Sequence, residues 1–315
     1  MTFIDLSEKT ACFKIINSGS RINQINGNCI FIENCAFRSL SSSNGGAIYL
    51  SSTTGAVFVT LSLFEKCFAT DQYGAVFYNV KDSDVVFDKT CSYYCYSSNG
   101  YEKYGQFGYG YVSSNQVNAF QFMSITLCSP FTSSSITFRF FGGNQVSLYS
   151  NSSQNKVYAH SGLDFTEGNT IQFLYSTISN NFAAGWTACM FYSIKGKVDK
   201  CNFCNNNSPD SRAVILINSG VDITISNSVF LNNLNNLFDI RSNRIYFGLI
   251  NCTIDSFSYI NSKPITQNII IQKSQTIPLI HYQSAFCNAE IPYQPITISN
   301  KRSQMVFILF ASILV

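Results

Sequence analysis

Three copies of one short pattern lie between Ile171 and Asn233. Each copy has alternating apolar residues, then a small polar residue or cysteine, then one large apolar residue, and three positions later the second of two adjacent asparagines. The large apolar residues, called anchors below, are Ile178, Phe203 and Phe230. A pattern that recurs about every 26 residues predicts a solenoid, in which each repeat forms one coil.

Weaker copies extend the repeat in both directions. Phe37 and Phe64 take the anchor position towards the N-terminus, Ser92 is a degenerate anchor, and Ile254 continues the series towards the C-terminus. The long gap between Ser92 and Ile178 leaves room for an anchor at Leu127, after an insertion, and for a weak copy within 146–153. The repeat therefore covers most of the chain.

The apolar residues alternate with a period of two, which is typical of strands, and a helical period is absent. Runs such as Ile223-Thr224-Ile225 contain the β-branched residues that favour strands. A second strand candidate follows each anchor by about ten residues, often after a glycine that can supply a positive φ, as at Gly45 and Gly74. We therefore predict an all-β fold, a right-handed parallel β-helix of the pectin lyase-like type with about ten coils.

Stacking of the coils predicts two internal columns. The first column contains small residues two positions before each anchor: Cys35, Ser62, Thr90, Ser176, Cys201, Ser228 and Cys252. The second column contains Asn181, Asn206 and Asn233, three positions after their anchors. Stacked amides can hydrogen-bond along the axis, so we predict an asparagine ladder at this corner.

The paired motif of the repeat resembles that of chlamydial polymorphic membrane proteins and of similar trichomonad surface proteins. It consists of Phe-x-x-Asn or Phe-x-x-Cys, as in Phe64-Glu65-Lys66-Cys67, and of Gly-Gly-Ala-Ile, as in Gly45-Gly46-Ala47-Ile48. Only that one strict Gly-Gly-Ala-Ile occurs, and the resemblance covers about residues 25–260. It implies a cell-surface or secreted location, with a role in adhesion or antigenic variation.

Composition narrows the possible partners. The formal net charge is only +3 and charged residues make up 12%, without a basic cluster, which argues against a nucleic-acid partner. The 12 cysteines do not have the spacing of a compact disulfide framework. The pair Cys201 and Cys204 lacks the second pair that a zinc site needs. We therefore expect no metal and no cofactor, and one or two disulfides between coils if the compartment is oxidising.

The chain divides into one β-helix over residues 1–298 and a tail over 299–315. Within the β-helix, residues 96–165 are predicted to be irregular and loop-rich, with many tyrosines that could bind a host-cell protein or a glycan. His160 is expected to be an inert loop residue. Neither a signal sequence at the start nor a complete membrane anchor is evident, so the reading frame is expected to be truncated. The apolar run 306–315 is either half of a membrane anchor or a capping strand or helix.

The sequence favours a non-catalytic function, with no catalytic residue assigned. The alternative is a polysaccharide-acting enzyme of the same fold, either a lyase or a glycoside hydrolase. Its candidate carboxylates are Glu33 and Asp88, which stacking would place two coils apart on either side of Thr60.

Overall fold

A computed structural model describes residues 13–16, 18–23, 29–51, 54–98, 105–128, 136–209, 212–241 and 246–271 of the 315-residue chain. All regular elements in these ranges are β-strands. The same ranges contain no apolar helix of the length needed to cross a membrane. The tail 299–315 and residues 272–298 lie outside the described part.

The strands follow one another in chain order as follows. The first half contains β1 Phe13–Ile16, β2 Ile22–Asn23, β3 Cys29–Glu33, β4 Ala36–Arg38, β5 Ser41–Asn44, β6 Ile48–Leu50, β7 Thr54–Thr60, β8 Leu63–Glu65, β9 Phe68–Gln72, β10 Val76–Val80, β11 Asp82–Asp88, β12 Cys91–Tyr93, β13 Tyr96–Ser97, β14 Gly105–Val112, β15 Val117–Gln121, β16 Ser124–Thr126, β17 Ile136–Phe141 and β18 Asn144–Leu148. The second half contains β19 Asn151–Ser153, β20 Lys156–Val157, β21 His160–Thr166, β22 Thr170–Leu174, β23 Thr177–Ser179, β24 Phe182–Ala183, β25 Thr187–Tyr192, β26 Lys195–Asp199, β27 Asn202–Cys204, β28 Ala213–Ile217, β29 Asp222–Ser226, β30 Val229–Leu231, β31 Asn236–Ile240, β32 Tyr246–Ile250, β33 Thr253–Ile254, β34 Tyr259–Asn261, β35 Ile265–Gln267 and β36 Ile270–Ile271.

Three long sheets run the length of the solenoid, and all their pairings are parallel. The first sheet has 11 strands in the order β1-β3-β7-β11-β15-β18-β22-β26-β29-β32-β35. The second has 10, in the order β2-β6-β10-β14-β17-β21-β25-β28-β31-β34, and the third has 10, in the order β4-β8-β12-β16-β19-β23-β27-β30-β33-β36. Two short sheets, β5-β9-β13 and β20-β24, widen one corner. The predicted all-β parallel β-helix is confirmed, and its right-handed winding stays a prediction.

The anchors form one continuous column in the third sheet, as the repeat predicts. Phe37 pairs with Phe64, and their rings stack at 4.9 Å. Phe203 pairs with Phe230, and these rings stack at 5.0 Å, with an interplanar angle of 5°. All four rings are fully buried, so the core is a stack of equivalent side chains along the axis.

The middle of the column corrects one prediction and confirms another. Ser92 pairs with Ile125, so Ile125 is the anchor and the prediction of Leu127 was wrong. Leu127 instead occupies the corner that follows, with a φ of 52°. Ile125 pairs in turn with Ser152, which is the anchor of the weak copy predicted within 146–153. Between Phe64 and Ile178 the column therefore contains two serines and an isoleucine in place of phenylalanine.

The small residues before the anchors form the predicted inward column. They are all buried, and the column gains two members that the sequence did not assign, Met123 and Ser150. The Ser176 hydroxyl donates to the Leu174 carbonyl at 2.8 Å and accepts from the Ser150 amide at 3.0 Å. The Ser228 hydroxyl likewise donates to the Ser226 carbonyl and accepts from the Cys201 backbone amide. A hydroxyl at this position therefore satisfies backbone groups of two coils.

The asparagine ladder is present and is one member longer than predicted. Asn155 joins the column, and its side-chain amide donates to the Asn181 Oδ1 at 3.1 Å. Asn181 donates likewise to Asn206, and Asn206 to Asn233. The Oδ1 atoms of Asn181, Asn206 and Asn233 also accept the backbone N–H of the preceding asparagine, as at 3.0 Å from Asn155 to Asn181, and the Oδ1 of Asn155 accepts that of Cys128. The column continues in the earlier coils with three buried free cysteines, Cys67, Cys95 and Cys128.

Two further features bear on the sequence predictions. Cys29 and Cys91 each take part in a disulfide bond. Eight other described cysteines, including Cys201 and Cys204, are free and buried. Within 96–165, the described residues form strands β13 to β20 and most of β21, which pair in the same sheets as the rest of the chain. Tyr109 and Tyr111 lie in β14, not in a loop, while Tyr101 and Tyr104 lie outside the described residues.

Candidate binding face and cavity

The second sheet presents a column of aromatic and charged residues on its outer face. Val76 and Tyr78 of β10 belong to the core, so Phe77 between them faces outward. Register then places the following residues in line with Phe77 on successive coils: Tyr49, Tyr109, Arg139, Asp164, Met190, Leu216 and Asp239. One half of this face is therefore aromatic, and charged residues begin at Arg139.

The aromatic half is a connected set of rings, called here the aromatic stripe and made up of Tyr49, Tyr73, Phe77, Tyr109, Tyr111 and Phe141. Tyr49 stacks on Phe77 at 5.0 Å, and Tyr73 stacks on Phe77 at 4.1 Å. Phe141 lies 5.5 Å from Tyr111 and 6.3 Å from Tyr109. All except Phe77 are half-buried, so part of each of these five side chains remains accessible.

The alternation of glycine and tyrosine in β14 explains how the stripe is presented. Gly110 points inward, and a Cβ there would come within 2.0 Å of the Tyr78 ring. The missing side chain leaves room for Tyr78, which is fully buried and donates to the Asn118 Oδ1 at 2.6 Å. Tyr109 and Tyr111, on either side of Gly110, therefore point outward.

A cavity of about 330 Å³ adjoins the stripe at Phe141. The residues that line it, apart from Phe141, include Arg139, His160, Glu167, Trp186, Tyr192 and Asn218. They come from the ends of β17, β21, β25 and β28 and from the adjacent corners. We call this space the Trp186 cavity.

A buried carboxylate organises the charged wall of the cavity. Asp164 is fully buried, and its Oδ2 accepts from the Arg139 Nε at 2.7 Å and lies 3.0 Å from the His160 Nδ1. The Thr166 hydroxyl donates to the Oδ1 at 2.6 Å. Burial alone would raise the pKa of Asp164, but Arg139, His160 and Thr166 outweigh it and lower the pKa to about 2. The carboxylate is therefore ionised, and it holds Arg139 and His160 in place.

Two arginines and His160 lie around the Trp186 ring. The guanidinium carbons of Arg212 and Arg241 lie 5.0 and 5.1 Å from its ring, and His160 meets it edge-on at 5.9 Å. Arg241 is itself held by Asp239 at 2.8 Å. These cation–π contacts fix the position of the indole.

The sequence did not identify this cavity. His160 was predicted to be an inert loop residue, but it starts β21, is buried and touches Asp164. Arg139 and Asp164 are 25 residues apart and become neighbours only through the register of β17 and β21. A fixed offset from the anchors would not have paired them, because Arg139 lies 14 residues after Ile125 and Asp164 lies 12 after Ser152, and the pairing of β17 with β21 contains a register shift.

The carboxylates proposed for an enzyme do share a column on the first sheet. Thr60 pairs with Glu33 on one side and with Asp88 on the other. Burial raises the pKa of Asp88, partly offset by Lys89 and by a hydrogen bond from Thr60. The described residues contain no cluster of three or more histidine, cysteine or carboxylate side chains that could hold a metal ion.

No protein-family model, curated protein or solved structure matches the chain. What the protein does is therefore inferred from its own geometry and from the motifs of its sequence.

Proposed function

We propose that this protein is a non-catalytic solenoid of a cell surface that binds a host-cell or matrix protein or glycan. The observation that carries the proposal is the aromatic stripe, which runs across β6, β10, β14 and β17 and ends at the Trp186 cavity. Tyrosine gives a large contact area at a low entropic cost, and its hydroxyl tolerates water, so half-buried tyrosines suit a recognition surface. Stacked parallel strands hold these rings rigidly in line.

The proposed location rests on two independent features. The Phe-x-x-Asn and Gly-Gly-Ala-Ile motifs resemble those of polymorphic membrane proteins, which implies surface display. Disulfides at Cys29 and Cys91 fit an oxidising compartment, since such bonds are rare in the cytosol. Because the motifs occupy corners and core, outward residues can vary without loss of the fold, which suits antigenic variation.

A binding screen tests the proposal. The purified protein is applied to immobilised matrix proteins and to a glycan array, and a ligand is expected. The triple variant Tyr73→Ser, Tyr109→Ser, Tyr111→Ser should bind that ligand at least about tenfold more weakly, because central aromatic residues dominate such interfaces. A matched control removes Tyr149 and Tyr175, whose rings stack at 4.9 Å elsewhere on the surface. Equal binding by the stripe variant and the control would exclude the stripe as the recognition surface.

A polysaccharide-acting enzyme is the second candidate, and one observation favours it. His160 is oriented by the buried Asp164 and lines a cavity that also contains Glu167, which is how a general base is commonly placed. Incubation with polyuronides and neutral polysaccharides should then release new chain ends, and His160→Gln should abolish the release. If Asp88→Ala abolished it instead, the first-sheet pair would be the site. If none of these polysaccharides releases new chain ends, the enzyme candidate fails and the binding function remains.

A further inference from the structure

We propose that the Trp186 cavity binds a single pyranose ring of an uncharged glycan. This inference rests on the proposed binding function and assigns a ligand class to one part of the same face. Three properties of the cavity support it: its size, the chemistry of its walls, and its charge balance.

The size and the apolar walls suit one sugar ring. A volume of about 330 Å³ lies at the lower end of the range for small-molecule sites, which fits a monosaccharide unit and not a long chain segment. Tyr192 and Phe141 supply aromatic surface, and Trp186 lines the same space with Arg212 and Arg241 over its ring. The C–H face of a pyranose can pack against such a ring and be shielded from water there.

The polar groups match sugar hydroxyls, which both donate and accept hydrogen bonds. Glu167 is exposed at the rim and can only accept, whereas Arg139 can only donate. Arg139 uses its Nε on Asp164, so its terminal N–H groups are not engaged by that contact. Asn218 can do both. Two hydroxyls on adjacent sugar carbons require hydrogen-bond donors and acceptors close together, and the cavity provides both.

The charge balance argues for an uncharged sugar. Arg139 is paired with Asp164 and Arg241, beside Trp186, with Asp239, while Arg212 beside Trp186 adds one positive charge. Glu167 adds a negative charge at the entrance. A uronate or a sulfated sugar would have to approach Glu167 and compete with a buried, ionised Asp164 for Arg139.

The sole tryptophan of the chain provides a direct readout. Intrinsic fluorescence of the full chain is titrated with methyl glycosides of glucose, galactose, mannose and N-acetylglucosamine, and with methyl glucuronide. At least one uncharged glycoside should give a saturable change, and methyl glucuronide should give none. Glu167→Gln and Asn218→Ala should weaken that binding about tenfold each, the effect of losing a hydrogen bond to a ligand. Glu65→Gln on the third sheet, where Glu65 pairs with Arg38 at 3.3 Å, is the matched control.

The possible results separate this inference from the broader proposal. A saturable response to methyl glucuronide alone would overturn the uncharged class. No response to any glycoside, or a response that Glu167→Gln and Asn218→Ala leave unchanged, would overturn the cavity as a sugar site. Neither result affects the stripe, whose role fails only if the tyrosine triple variant binds its array ligand normally.

Discussion

Large side chains occupy corners where the backbone is left-handed. At the corner before the inward column, Leu61, Phe122, Tyr149 and Tyr175 have φ values of 49° to 50°, where glycine or asparagine is usual. Asn227 and Asn251 hold the same corner in later coils, with φ values of 48° and 52°. The stack imposes this conformation because every coil must turn at the same place. Residues other than glycine and asparagine therefore pay a conformational cost there.

Leu61→Asn should stabilise the protein. The substitution relieves part of the cost of a left-handed leucine, which is about 1 kcal/mol, and removes an apolar side chain that is 50% exposed. The check is the urea midpoint of unfolding, with the slope unchanged. Leu234→Asn is the control, since Leu234 is 57% exposed and is not among the residues with a positive φ. An equal gain in both variants would show that exposure, not the corner, is responsible.

Asp164 should make the fold sensitive to acid. Its pKa falls from the ordinary 3.8 to about 2 in the folded state, so the carboxylate binds protons less readily there than in the unfolded chain. The resulting stabilisation is fully present above about pH 4 and is lost as the pH falls towards about 2. Asp164→Asn should lower stability at neutral pH and flatten its dependence over that interval, as measured by urea unfolding. An unchanged acid slope in the variant would contradict this assignment.

At the scale of the elements, the ladder joins coils through side chains. Asn206→Ala should cost about 2 to 6 kcal/mol, because two buried N–H donors lose this acceptor at about 1 to 3 kcal/mol each. They are the backbone N–H and the side-chain amide of Asn181, both of which donate to the Asn206 Oδ1. Asn205→Gly is the neighbouring control: Asn205 is exposed with a φ of 56°, which glycine adopts freely. Equal losses in both variants would argue against a role for the ladder.

What could be predicted at this scale depended on which side of a strand the residues face. Inward positions repeat the same environment in every coil, so Phe203, Ser228 and Asn206 carry a periodic signal. The residues in outward positions differ from coil to coil even where they are buried, as Asp164 is, so nothing in the local sequence links Arg139 to Asp164 or His160 to Trp186. The predicted anchor, Leu127, was two residues past the true anchor, Ile125, for a related reason. The chain from Ser92 to Ile125 is longer than the usual repeat, and Leu127 is as apolar as the true anchor.

At the scale of the whole molecule, each coil contacts mainly the coils above and below it. The strand pairings of each long sheet join neighbours only, from β1-β3 at one end to β32-β35 at the other. Stability in such a stack is close to a sum of coil terms and interface terms. The aromatic stripe and the Trp186 cavity are also properties of the stack, because their residues come from successive coils, from β6 to the residue after β28.

Removal of one whole coil should therefore leave a folded, shorter solenoid. Asn202 pairs with Val229, so deletion of residues 202–228 joins Cys201 to Val229 and keeps every later side chain on its own face. The variant should keep a strand-type circular dichroism spectrum and a cooperative thermal transition. Deletion of residues 202–227 is the control, because a shift of one residue turns the inward side chains of the following strand outward. It should lose the cooperative transition. If both deletions unfolded alike, the coils would not act as interchangeable units, and the repeat would describe the sequence without governing the fold.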